Sequence, residues 1–128
     1  MTQPWIPFPS YWLSFIEKHN LVGREFAVPE EADLSGSGIE IEILSQQSSV
    51  EEQTLAYPGI EVLKAGYVPV GGCSGTGDPY FIRLQDGENG PLYQIYHDEV
   101  FDEGYDPARA IVKVLDDYRE LLKYPREP

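Results

Sequence analysis

The run GGCSGTGDPYFIRL, residues 71 to 84, places four glycines, the only cysteine and an aspartate within its first eight positions. Such material serves phosphate cradling, thiol attack or a tight turn. A phosphate loop needs glycines that open a helix, whose N-terminal amides face the phosphate, and a Lys that reaches the terminal phosphates. The run has no Lys, and Asp78-Pro79 leads into the β-forming Tyr80-Phe81-Ile82. The dinucleotide fingerprint fails as well. Gly72, Gly75 and Gly77 have the wrong spacing, a strand follows them, and Asp78 repels an incoming phosphate. Both phosphate readings are rejected.

A Cys-His-Asp set can be drawn from Cys73, His97 or His19, and the abundant acids. An acidic surround raises the pKa of a thiol and blunts it, and no family spacing links Cys73 to a histidine. An enzyme centred on Cys73 and His97 therefore stays an alternative, with Cys73 read first as a small, partly buried turn residue. His97-Asp98-Glu99 offers metal-ligand types, yet adjacent strand residues point to opposite faces and do not converge. Asp86 to Gly90 lacks the twelve-residue calcium-loop spacing, and nothing singles out a glycosidase-like carboxylate pair. No catalytic residue, cofactor or metal is expected. What remains is architecture: Gly71, Gly72, Gly75 and Gly77 open backbone conformations closed to other residues. Asp78 accepts hydrogen bonds from turn amides, and Pro79 starts the next strand. His97, at a strand end, holds the loop that follows it.

The elements that position these residues read as follows. Prolines at 4, 7 and 9 keep the opening segment non-helical. Ser10 is a candidate N-cap for a helix whose apolar stripe is Tyr11, Trp12, Phe15, Ile16 and His19, with Gly23 as its stop. Residues 28–38 read as a loop. Ile39-Glu40-Ile41-Glu42-Ile43 alternates strictly, as a half-buried strand does. Ser48 or Ser49 is expected to cap a short helix with Glu51 and Glu52 in its first turn, ending before Pro58-Gly59. Residues 67–70 form an extended segment. Residues 80–84 and 92–96 form a hairpin around Asp86-Gly87-Glu88-Asn89-Gly90, where glycine supplies the turn geometry. An acidic loop, 97–106, precedes Asp106-Pro107, the cap and first position of a C-terminal amphipathic helix. Its stripe is Ile111, Val114, Leu115, Tyr118, Leu121 and Leu122, stopped by Pro125. Hairpin connections predict an α+β fold with a central, mostly antiparallel sheet and helices packed around it.

The chain has 128 residues, enough for one domain with one core, and two Trp, nine Tyr and five Phe support a folded globule. No apolar run reaches the roughly 20 residues of a membrane span, and MTQPWIPFPS has no signal-peptide pattern. A single Cys fits a reducing cytoplasm, the expected location. With 22 acidic residues against nine basic, the formal net charge is -13. Nucleic acids and anionic membranes are expected to repel such a chain. Between Arg24 and Lys64 there are nine carboxylates and no base, and between Arg83 and Arg109 seven more and no base. Solubility explains such acidity, as does attraction of a basic protein.

Gly75-Thr76-Gly77-Asp78-Pro79-Tyr80-Phe81, then Gly90-Pro91-Leu92-Tyr93 and Tyr96-His97-Asp98, resemble the SUKH superfamily. That group unites fungal cell-wall assembly regulators with bacterial immunity proteins. Its pattern is a G-x-G-D-x-aromatic turn into a strand, a Gly-Pro hairpin, a strand ending in His-Asp, and a closing amphipathic helix. The likeness runs over residues 39–124 of a single domain, 1–128, with residues 1–38 an N-terminal helix and loop that fit the pattern poorly. It implies an α+β domain without catalysis, and for bacterial members an immunity protein that neutralises a toxin domain, often a nuclease with a basic cleft. Asp86, Glu88, Asp98, Glu99, Asp102 and Glu103 are then the candidate partner-binding acids, together with those between Glu30 and Glu52. A regulatory scaffold without a toxin is the alternative within the same likeness.

Overall fold

Strict alternation of isoleucine and glutamate from Ile39 to Ile43 buries three isoleucines on one face and leaves both glutamates in solvent. This segment is one of eight strands in the computed structural model, which describes residues 5–55, 59–73, 78–101 and 103–125. The strands are β1 (Glu25–Val28), β2 (Ile39–Ile43), β3 (Tyr67–Gly72), β4 (Tyr80–Arg83), β5 (Leu92–Ile95), β6 (Val100–Phe101), β7 (Gly104–Tyr105) and β8 (Ile111–Leu115). Six form one curled sheet in the order β1-β2-β3-β4-β5-β8, every neighbouring pair antiparallel, and β6 pairs β7 separately. Helices α1 (Ser10–Lys18), α2 (Gln46–Leu55), α3 (Gly59–Val62) and α4 (Pro107–Ala110) complete the α+β fold.

One face of the sheet carries the larger core. Trp12 from α1 is fully buried, with the rings of Phe15 and Tyr118 at 5.3 and 5.0 Å. Phe26, Ile39, Ile41, Ile43, Val68, Val70 and Leu92 pack around them. The other face of β3–β5 is covered by a smaller cluster, Val62, Tyr67, Phe81, Ile95, Val100 and Ala110. Each large side chain buried this way is worth about 1.5–3 kcal/mol relative to exposure. The α1 stripe is as read: Trp12, Phe15 and Ile16 are buried, and His19 stacks edge-on against Phe15.

Several boundaries differ from the sequence reading. Pro9, not Ser10, stands at the N-cap of α1, because its fixed φ of -64° aims its carbonyl at the amides of Trp12 and Leu13. Ser45 caps α2 by accepting from the Ser48 N–H at 3.1 Å, so Glu51 and Glu52 fall inside the helix instead of in its first turn. The 28–38 loop contains a 3-10 turn, Glu30–Ala32, and a strand, β1, precedes it.

The largest correction concerns the C-terminal amphipathic helix. Asp106 caps as expected, accepting from the Ala108 N–H at 3.0 Å, with Pro107 in the first turn. The helix then ends after four residues. Ile111 to Leu115 becomes β8 against β5, and Tyr118–Lys123 forms a 3-10 turn. Ile111, Val112 and Val114 are β-branched and stiff at χ1, which favours the strand, and an open sheet edge was there to receive them. The stripe residues Val114, Leu115, Tyr118 and Leu121 still reach the core, by a different route.

That route also seals the sheet. After β8 the chain returns to the opposite edge, where the Ala27 N–H donates to the Tyr124 carbonyl at 3.0 Å and Phe26 bridges Pro125. Conversely, the loop after β1 reaches β8, with the Leu34 N–H donating to the Val114 carbonyl at 2.9 Å. Both edges thus receive partners that blunt edge-to-edge pairing. Gly71 and Gly72 belong to β3 and have no positive φ, contrary to their reading as turn glycines. Gly71 is required by proximity, since a Cβ there would overlap the side chain of Ile41. Gly75 and Gly77 lie outside the described residues.

Candidate functional site

The C-terminal ends of β1, β3 and β5 and the starts of β2 and β4 lie at one end of the sheet, and the 29–38 loop runs past them. Between loop and strand ends lies a cavity of about 560 Å³. Val28 and Ile39, both nearly fully buried, give it apolar walls. Cys73, Asp78, Tyr80, Gln94 and Tyr96 supply its polar groups, and the exposed Glu30 and Glu40 also line it. Among the described residues the lining contains no Lys or Arg. A mouth closed by a loop over strand ends is a common place for a ligand pocket, and this volume is of ordinary size for one.

The polar groups are oriented by the fold. Tyr80 is 1% exposed, and its hydroxyl accepts the Glu40 N–H at 3.3 Å, joining β4 to β2 across β3. Burial pushes its phenol well above the ordinary tyrosine range, reinforced by the neighbouring Cys73, with which it shares a hydrogen bond. Gln94 is 8% exposed, and its Nε2 donates to the Asp78 carbonyl at 3.2 Å. Only the amide nitrogen can donate to a carbonyl, so the orientation of the group is set and Oε1 faces away from Asp78. Asp78 itself binds His97: its Oδ1 accepts the His97 N–H at 2.9 Å and contacts the ring Nδ1 at 2.5 Å. That hydrogen bond raises the His97 pKa above its ordinary value, with lesser help from the charges of Asp78 and Asp98. Asp78 thus accepts from the amide that opens the 97–99 turn, and the His97 ring is tied to the segment before β4 and not, as the sequence reading had it, to the loop that follows it.

The histidine ring is thus held by Asp78, and the Cys73 thiol by the Tyr80 phenol. Among the described residues no group of three or more His, Cys, Asp and Glu is placed to hold a metal ion.

The six candidate partner-binding acids divide. Asp86 and Glu88 lie in the β4–β5 connection, and the Tyr93 hydroxyl donates to Asp86 at 2.8 Å. Asp98 and Glu99 follow β5 at its other end, in the 3-10 turn next to Asp78. The four residues of β5 separate the two groups by about 13 Å, at some 3.3 Å per residue. Glu99 pairs with Arg109 at 3.3 Å, Glu103 is exposed in the β6–β7 turn, and Asp102 lies outside the described residues. Gly90 and Pro91 lead into β5 as expected, and the Gly90 carbonyl accepts the Tyr118 N–H.

A second acidic group lies on the β1–β2 ribbon. Glu25 and Glu42 are direct cross-strand partners, and Glu40 stands opposite Ala27 on the same exposed face. Glu30 and Glu31 follow in the 3-10 turn after β1, and Glu30 lines the same cavity as Glu40. Among the described residues the ion pairs join Lys64, Arg109, Lys113, Arg119 and His97 to other acids, and none reaches Glu30, Glu31, Glu40 or Glu42. The sequence signalled this group through the base-free window from 25 to 63. It did not single out Gln94, although a glutamine at an inward position between Leu92 and the end of β5 is a departure from the apolar pattern.

Set against known proteins, the chain matches no family model, no curated protein and no solved structure. The SUKH resemblance rests on the quoted motifs. No helix among the described residues is long and apolar enough to cross a membrane.

Proposed function

We propose that the chain is a non-catalytic module that binds a basic protein through the outer face of the β1–β2 ribbon and the adjoining 3-10 turn. The observation that carries this reading is the register Glu25↔Glu42. Two carboxylates directly opposite on an antiparallel pair put negative charge side by side on the exposed face. Glu40 and Glu30 extend the same negative row toward the cavity mouth, where no Lys or Arg among the described residues lines the wall. A concentrated field of one sign steers an oppositely charged protein and speeds its encounter. The SUKH resemblance gives this partner a character: a toxin domain, nuclease-like, whose basic cleft an anionic surface occludes. On this reading the Asp98 side contributes to the rim, and the Asp86–Glu88 turn lies apart from the contact.

Isolation of the bound partner from the native host, followed by affinity measurement on two variants, tests the reading. Replacing Glu25, Glu30, Glu40 and Glu42 with Gln is expected to weaken binding by about a hundredfold, since each rim charge lost from a complementary field slows association. Replacing Asp86 and Glu88 with Asn and Gln is expected to leave affinity within about twofold, as remote exposed charges contribute little. The reverse ranking would discard the reading.

A further inference from the structure

We infer that the Asn89-Gly90 peptide is a site of spontaneous deamidation, held shut in the native turn by Tyr118 and opened when that residue lets go. The inference is independent of the acidic-face reading.

Asn89 is partly exposed in the turn before β5 and has φ 62°, a left-handed backbone that asparagine tolerates better than most residues. Gly90 follows it and presents a backbone nitrogen with no side chain to shield it. Among the described residues no hydrogen bond engages the Gly90 N–H or the Asn89 side-chain amide. A nucleophile and an electrophile thus stand on adjacent residues. Hydroxide removes the Gly90 N–H proton and becomes water. The nitrogen attacks Asn89 Cγ, the Cγ–Nδ2 bond breaks, and ammonia leaves with a proton taken back from water. A further water molecule opens the resulting cyclic imide at either carbonyl, giving aspartate or isoaspartate. Nothing is oxidised or reduced.

Ring closure swings the Gly90 nitrogen toward Asn89 Cγ, which turns the Asn89-Gly90 peptide about the Asn89 Cα–C bond. The peptide units on either side are both pinned to Tyr118. Its hydroxyl accepts the Asn89 N–H at 3.2 Å, and its own N–H donates to the Gly90 carbonyl at 3.0 Å. Tyr118 cannot follow that turn, being 1% exposed with the rings of Trp12 and Phe15 each 5.0 Å away. One of the two hydrogen bonds must break before the ring closes. Either product adds a carboxylate to the turn that already holds Asp86 and Glu88, and isoaspartate also lengthens the main chain between the two pinned units. Asn20 provides the contrast within the same chain. Its backbone is also left-handed, at φ 53°, but the next residue is the fully buried Leu21, whose N–H donates to the Ile16 carbonyl at 2.9 Å.

The test is peptide-map mass spectrometry of the full chain, incubated at mildly alkaline pH in heavy-oxygen water. Conversion of amide to acid, with heavy oxygen incorporated, is expected at Asn89 and not at Asn20. Tyr118→Phe removes one of the two hydrogen bonds and keeps the ring, and is expected to hasten conversion about fivefold, the weight of one hydrogen bond. Ile43→Val, a comparable loss of stability made in β2, is expected to leave the rate within about twofold, because the opening is local. Asn89→Gly suits the positive φ, lacks the amide and is expected to abolish the conversion. Conversion at Asn20 ahead of Asn89, or none at Asn89 in the native chain, would overturn the site. Equal rates in Tyr118→Phe and the native chain, or the same acceleration in Ile43→Val, would overturn the hold of Tyr118 on it.

Discussion

The carboxylate of Asp78 grips both the backbone and the ring of a single residue, His97, at 2.9 and 2.5 Å. It thereby ties the start of β4 to the end of β5. The pairing raises the His97 pKa above 6.5. A group whose folded pKa is raised contributes stability that is complete below its unfolded value and is lost as pH rises through the folded value. Stability from this tether is therefore whole in mildly acidic solution and declines as the pH climbs past the elevated midpoint. An NMR titration is expected to place the His97 midpoint above 6.5, and Asp78→Asn to return it toward 6.5. A wild-type midpoint at or below 6.5 would contradict the tether.

Gly71 lies against the buried Ile41, where a Cβ finds the space occupied. Gly71→Ala is expected to cost about 2 kcal/mol by overpacking. Ile41→Ala leaves a hole and costs about 3 kcal/mol alone. The double variant is expected to be more stable than the sum of the two losses implies, because the new methyl enters the space that Ile41 vacates. Strict additivity in urea denaturation would show that the two positions do not share that space.

The like-charged pair Glu25 and Glu42 gives a stability prediction independent of any partner. Glu42→Lys turns repulsion into attraction across the ribbon and is expected to stabilise the protein by about 0.5 kcal/mol at low salt. The gain is expected to shrink as salt screens the pair. Chemical denaturation at two ionic strengths reads both effects, and a destabilised Glu42→Lys would refute the arrangement.

Backbone carbon shifts distinguish the strand Ile111–Leu115 from a continuous helix over 107–124. Strand shifts at 111–115, with amides protected from exchange where β8 meets β5, are expected. Helical shifts through that stretch would restore the amphipathic helix.

The contrast between β2 and β8 shows how far the sequence could be read. Ile39 to Ile43 alternates over five residues, and one period fits. Ile111 to Leu122 satisfies a helical period and a strand period in different halves, and a cap at Asp106-Pro107 favoured the helix. The deciding factor, a free β5 edge, is a tertiary fact invisible in a local pattern. Likewise β1, only four residues long, carries too little pattern to stand out, yet it supplies half of the acidic ribbon. The base-free windows exposed the acids, and the hairpin from Tyr80 to Ile95 was legible from its glycine-rich turn. What no window revealed was the meeting of Gln94, Tyr96 and Glu40 around one cavity, since residues 40 and 94 come together only through the order of β2, β3, β4 and β5.

The central claim is that the β1–β2 carboxylates meet a positively charged protein. Its most direct measurement is the dissociation constant of the host partner at two salt concentrations, for the native chain and for the variant with glutamine at 25, 30, 40 and 42. The account predicts that the native affinity falls steeply as salt rises, that the variant starts much weaker, and that salt then changes it little. Equal affinities for the two chains, with a flat salt response in both, would contradict it.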